Sequence, residues 1–538
     1  VSSNPWLPSR RSLFASAVLV LVLGGLPVAV TRAEAATARP VVLIHGLNSA
    51  PNKWNPYVGP DGFLARIGRQ GYAVGDGQAP GVIRAGSELE ALTKTNTIAE
   101  NAAQLRDYIA GVKSLTGADR VDIVAHSMGG LIARYYIDRL MGERDVDRLI
   151  MLGTPNGGSP CANLAARLGL SVPATVELRP EYVRDIFNRQ ITDRRGIAFY
   201  ALAGDPISDA LRSPCAGIPS DLVVGVDSVE AVGLTAQRMP VLHNDLKENE
   251  SVFDQFVAPA LESTATAAAD TGSSSAPAAA QERQTVALAA GHVDQGGSVE
   301  QVLNIDEVAV ATFAIYDPTR SLAVSVRGAN GNTIRLTAGE NGLVKVDDPE
   351  TMLYLGYGFT NPAPGPWRVT LSSTGSTPAA GADFAVSAQV EGGADLEART
   401  SELLPTIGED VDLSAAFDQA DIPIVVQQAT AVIRTPDGAE QTVALTGGDL
   451  ETTGSWRPAE AGLHSIDLVV NGMTADEQPV QRTAFLAAEV QQPQVDRSLL
   501  VPVVGGAVAA VLGVLAVIFF SVRALRRALR RRSERVTP

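Results

Sequence analysis

The stretch IVAHSMGG, residues 123 to 130, places Ser127 between an apolar run that reads as a strand and LIARYYIDRL, which reads as a helix. A serine hydroxyl is a poor nucleophile at neutral pH. It needs a base to take its proton, an acid to orient that base, and N–H donors for the oxyanion. Strand, then x-Ser-x-Gly, then helix is the turn that holds such a hydroxyl proud of a sheet. Gly129 is kept here, and Ala125 stands where the pattern usually has its first glycine. Alone, the match weighs no more than a chance Ser-x-Gly at a strand–helix junction.

Other stretches supply the missing parts. VVLIHGLNS (41–49) is an apolar strand followed by His-Gly, and the N–H of Leu47 is then one oxyanion donor. The N–H of Met128, next to the nucleophile, is the other. The chain has five histidines. His45 lies in the donor loop, His126 in the turn, and His292 and His464 in later β-rich sequence, which leaves His243 in MPVLHND as the base. Asp205, Asp209, Asp221, Asp227 and Asp245 all lie in the region expected for the acid. Asp221, which opens SDLVVGVDS 22 residues before His243, is preferred. Asp205, directly after IAFYALAG, is its rival, and Asp227 reads as a solvated loop carboxylate.

The elements that must position these residues alternate. VVLI (41–44), VDIVA (121–125), RLIML (148–152), IAFYALA (197–203) and LVVGV (222–226) read as short buried parallel strands. A capping box at Thr97 and Glu100 opens a helix through about Lys113. Further helices are expected over Leu131 to Leu140 and Arg179 to Gln190. Alternating strands and helices predict a doubly wound, mostly parallel sheet over residues 36–261.

VVLIHGLNS, AHSMGG and LGTPNGGSP (152–160) together resemble the α/β-hydrolase lipases, particularly bacterial triacylglycerol lipases and the related GPI inositol-deacylase-like proteins. SDLVVGVDS resembles the acid-bearing segment of that family and favours Asp221. The family includes Ala-x-Ser-x-Gly variants, so Ala125 is compatible with activity. Its Gly-Thr-Pro loop commonly carries His next, where this chain has Asn156, a difference bearing on substrate preference. The resemblance spans about residues 38 to 261. It implies hydrolysis of a lipid or carboxylic ester through an acyl-enzyme, with no cofactor; acyl transfer, or thioester or amide hydrolysis, would use the same residues. Some lipases of this kind hold calcium, but no such site is evident here. Ala79 to Asn96 is a candidate cover by position.

Beyond the hydrolase-like part, 262–284 is Ala/Ser/Thr-rich and reads as a flexible linker. From 285 to 490 the pattern is all-β, with hairpin turns at Asn330-Gly331 and Pro436-Asp437-Gly438. It divides near 392 into a β-sandwich (285–391) and an immunoglobulin-like sandwich (392–490), each with a Gly-to-Trp-Arg stretch. These modules suit contact with the cell envelope, and with an inactive hydrolase domain they would suit an adhesion or scaffold protein.

Residues 1–35 read as an export signal, with Arg10 and Arg11 ahead of an apolar run and cleavage expected after Ala35; an uncleaved anchor is the alternative. Leu499 to Val522 is 24 residues without a charge, about 36 Å as a helix and enough for a bilayer core of about 30 Å. Residues 523–538 carry seven Arg and one Glu, which puts that tail in the cytoplasm and everything before the helix outside. The net charge of −16 argues against a nucleic-acid partner. Cys161 and Cys215 are the two cysteines. In an exported domain they are expected to pair.

Overall fold

The computed structural model describes residues 38–86, 95–163, 172–206, 220–263, 284–317, 319–337, 344–346, 354–418, 423–448, 451–493 and 523. The expected signal segment, the membrane helix 499–522, Cys215 and most of the linker lie outside the described residues. Among the described residues no helix is long and apolar enough to cross a membrane.

Six strands form one parallel sheet: β1 (Val41–Ile44), β2 (Gly71–Ala73), β3 (Val121–His126), β4 (Val146–Leu152), β5 (Ala198–Gly204) and β6 (Gln237–Met239). Their order is β2-β1-β3-β4-β5-β6. Alternation along a strand sends neighbours to opposite faces. Val42, Ile44, Ile123 and Ala125 accordingly join one apolar core, and Val41, Leu43 and Val124 join another. Both faces are covered, which is why β1 and β3 read as unbroken apolar runs.

Helix α1 (Ile98–Thr116) starts at the expected capping box: Glu100 N–H donates to Thr97 Oγ1 at 3.1 Å, and Thr97 N–H to Glu100 Oε2 at 2.9 Å. It ends at Gly117, where φ is 69°. Helix α2 (Met128–Tyr135) follows Ser127 directly. The helix expected over 179–190 is present as consecutive short turns from Pro180 to Gln190.

Two expectations change. LVVGV (222–226) is not a strand. Asp221 Oδ1 accepts the N–H groups of Val223 and Val224, at 3.0 and 2.7 Å, so a side chain takes donors that a sheet would need. Leu222 then sits at φ 81°. The last strand of the sheet is instead β6, three residues long with Gln237 and Arg238 exposed, too short and polar to show an apolar run.

The region after residue 284 is antiparallel. A four-stranded sheet packs on part of a twelve-stranded one around Phe313, Trp367 and Phe384. A second core gathers around Trp456, Ile433 and Leu468. The modules expected on either side of 392 thus have separate cores, but the twelve-stranded sheet runs through both, joined where Thr285 pairs with Thr483. Gly331 (φ 81°) and Gly438 (φ 90°) occupy the two expected hairpin turns.

This β region packs on the parallel-sheet domain. Arg179 Nη2 donates to Asp467 Oδ1 at 2.8 Å, and Arg434 Nη1 to Asp467 Oδ2 at 2.6 Å; all three side chains are buried. Arg179 also lies over the Phe485 ring. Gln190 Nε2 donates to Glu489 Oε2 at 3.0 Å, and Ala487 joins the core beneath α1 and α2. A third contact sets Leu222 and Leu242, which flank the candidate acid and base, against Leu288, Ala314, Tyr316 and Ala385.

Candidate active site

Strand β3 ends at His126, and the chain reverses sharply at Ser127, with φ 54° and ψ −132°. A non-glycine residue tolerates such backbone only where its surroundings enforce it. Close packing does so here. A Cβ added to Gly129 would stand 2.8 Å from the Ile44 carbonyl oxygen, and one added to Gly46 would stand 2.6 Å from Ser127 Cβ. The two loops therefore meet through glycines. Ala125, two residues before the serine, is fully buried in the core and fits without a glycine.

The Leu47 loop follows β1 and α2 follows β3, so the two stretches some 80 residues apart in sequence come together on neighbouring strands. The first N–H groups of a helix have no partner within it. Neither the Leu47 nor the Met128 N–H has a hydrogen-bond acceptor among the described residues. Met128 follows Ser127 in the chain, and Gly46, immediately before Leu47, packs against Ser127, which is 7% exposed.

His243 lies after β6, in the loop that enters the short helix Asn244–Lys247. Its Nδ1 is 2.7 Å from Asp221 Oδ2. The carboxylate cannot donate, so Nδ1 carries the proton and Nε2 is left as the acceptor. Asp221 is fully buried, and its other oxygen is occupied by the Val223 and Val224 N–H groups. The rival Asp205 is half-buried, and its carboxylate makes no hydrogen bond to His243 among the described residues. Asp227 and Asp245 are exposed, and Asp209 lies outside the described residues. Of these candidates, Asp221 is the one bonded to His243.

Two further histidines crowd the same space. His45 Nδ1 donates to the Gly46 carbonyl at 3.1 Å, and burial lowers its pKa to about 4. Burial also holds His126 well below its ordinary value, and Lys247 and His243 add repulsion. Desolvation disfavours the charged form of each ring, so both stay neutral. His243 alone of the three has a carboxylate partner.

Asn156 is buried in a structural node. It accepts from Arg134 at 3.0 Å and donates to the Val229 carbonyl at 2.9 Å. Cys161 is disulfide-bonded, and its only possible partner in the sequence, Cys215, lies outside the described residues. Among the described residues no three His, Cys, Asp or Glu side chains are grouped to hold a metal ion. Sequence reasoning missed the main-chain role of His126: its Nε2 donates to the His243 carbonyl at 2.8 Å, a contact across 117 residues that no local pattern signals.

Comparison with known proteins supports the same domain. Residues 38–157 match the family described as Lipase (class 2). A triacylglycerol lipase of Burkholderia plantarii is 30% identical over 145 residues, 27% of this chain, and one of Pseudarthrobacter phenanthrenivorans is 31% identical over 130 residues, 24% of this chain. The chain covers 37% of the length of each. A Bacillus licheniformis lipase solved in its propeptide form aligns over 84% of this chain and 94% of its own, with 15% identity and a TM-score of 0.55, a likeness of fold. The match to the lipase family spans β1, the Leu47 loop, β3, the serine turn and β4, and over these residues the parallel-sheet domain is similar to the lipases.

Proposed function

We propose that this chain is a serine hydrolase of lipid or carboxylic esters, with Ser127, Asp221 and His243 as its triad. The observation that carries the reading is the buried Asp221–His243 pair beside the strained turn at Ser127. His243 Nε2 takes the Ser127 proton as the hydroxyl attacks the ester carbonyl. Asp221 fixes the ring's tautomer and stabilises the imidazolium. The Leu47 and Met128 N–H groups bind the oxyanion. His243 then protonates the leaving alcohol, and water, deprotonated in turn by His243, releases the acyl group. A fluorophosphonate probe tests the reading. It should label the purified full-length protein and fail on Ser127→Ala, and equal labelling of both would refute the assignment. A panel of esters of graded acyl length then defines the substrate.

The setting belongs to the same proposal. The apolar, basic-flanked segments at 1–35 and 499–522 support an exported domain tethered to the membrane. In intact cells, added protease should digest the domain holding Ser127 and spare an epitope fused after Pro538. The opposite protection pattern would reverse the topology.

A second reading concerns the β region. Its packing against Leu222 and Leu242, and the likeness over most of the chain to a lipase in propeptide form, support a maturation domain separable by cleavage within 264–283. Limited proteolysis there should change ester turnover, and unchanged turnover after complete cleavage would refute it.

A further inference from the structure

We infer that His126 is a positioning residue that fixes the main chain of His243 relative to Ser127. The inference rests on the triad proposed above and deepens it. His126 closes β3, opposite Leu152 of β4, immediately before the serine. It is 2% exposed, and its Nε2 lies 2.8 Å from the His243 carbonyl oxygen. That oxygen only accepts, so Nε2 carries the ring proton. The two rings also meet, with centroids 4.7 Å apart.

His243 is therefore held at three points. Its N–H donates to the Asp221 carbonyl at 3.3 Å, its Nδ1–H to the Asp221 carboxylate at 2.7 Å, and its own carbonyl accepts from His126. The first two bind the base to the acid. Only the third binds it to the strand that carries the nucleophile. The loop with His243 leaves an edge strand of three residues, so the sheet itself does little to set the distance to Ser127. No hydrogen bond between Ser127 Oγ and His243 closes in this structure. The His126 link limits how far that gap can drift.

Packing alone does not account for the residue. His126 Nδ1 is buried without a hydrogen-bond partner, and an orphaned polar atom destabilises a core. Phenylalanine would fill the space without that atom. A packing role therefore predicts that His126→Phe keeps activity, and a positioning role predicts that it does not.

The test compares His126→Phe, His126→Gln and Ser127→Ala in the full chain, by steady-state ester hydrolysis and thermal unfolding. His126→Phe removes the donor and exchanges the unpaired Nδ1 for an unpaired His243 carbonyl, so it should melt close to the parent while kcat falls roughly 100-fold, the scale of a small misplacement of reacting groups, with KM little changed. His126→Gln carries an amide N–H close to the place of Nε2–H and should recover most of kcat. If Ser127→Ala is as active as the parent, the triad itself is wrong. If Ser127→Ala is inactive and His126→Phe turns over at the parental rate, the triad stands and the positioning role falls. Equal losses in the Phe and Gln variants with lowered melting would also overturn it, in favour of packing.

Discussion

Replacing Asp221 by asparagine tests the electrostatic arrangement most directly. The Val223 and Val224 N–H groups, 3.0 and 2.7 Å from Oδ1, need an oxygen opposite them. The asparagine carbonyl must take that place, which turns its NH2 toward His243 Nδ1, 2.7 Å away in the parent. Two donors cannot face each other at that distance, so the ring gives up the Nδ1 proton and holds it on Nε2. It can then no longer accept a proton from Ser127. The same exchange in a Ser-His-Asp template lowers kcat about 10⁴-fold, roughly 5 kcal/mol of transition-state stabilisation. Because the amide keeps the turn at 221–224, the melting temperature should move little. Hydrolysis of a short-chain p-nitrophenyl ester by equal masses of folded protein measures the effect. Turnover within about tenfold of the parent, or a larger loss in Asp205→Asn, would refute the assignment of Asp221.

Three further outcomes follow from the packing. Gly46→Ala puts a methyl 2.6 Å from Ser127 Cβ; the shift should destabilise the fold by about 1–3 kcal/mol and, by moving the Leu47 donor, lower kcat about 100-fold, read by thermal melts and ester hydrolysis. At the interface, Asp467→Ala leaves Arg179 and the Arg434 Nη1 group without their shared carboxylate, whereas Arg179→Ala leaves Asp467 still paired with Arg434. Breaking a buried pair destabilises by about 3–5 kcal/mol, so chemical denaturation should rank Asp467→Ala the less stable; the reverse order would show the network is not shared. Burial raises the Glu177 pKa to about 8 against an ordinary 4.5, although it accepts the Ile98 N–H at 2.5 Å. The folded carboxyl thus holds its proton more tightly than the unfolded one, so its contribution is full below about 4.5 and lost as pH rises through about 8. Stability should fall over that window in the parent and fall less in Glu177→Gln.

Much of the site was legible because its signals are local. Glycines at close approaches, a serine after an apolar run and the single histidine left over can each be read within a few residues. The capping box at Thr97 and the hairpin glycines Gly331 and Gly438 are of the same kind. What stayed hidden depends on partners far along the chain. LVVGV has the composition of a buried strand, and only the Asp221 carboxylate, by taking two of its N–H groups, makes it a turn. β2 and β6 are three residues each, too short to carry a period. The bond from His126 to His243, the Arg179–Asp467–Arg434 network and the pairing of Thr285 with Thr483 join distant segments. No spacing rule predicts them.

The strand Pro479–Val490 is the last of the β region but not at its margin. It pairs with Gly462–Thr474 over twelve register positions, meets Gln284–Val293 on its other side, and sends Phe485 and Glu489 to the parallel-sheet domain. Tension entering the fold from the residues beyond Val490 would run along this strand. Hydrogen bonds in an antiparallel ladder lie across the strand direction, so such a pull loads them side by side in shear instead of opening them one after another. Loaded in this way the ladder resists the pull with many bonds at once, where the same pull on a terminal edge strand would break them in turn.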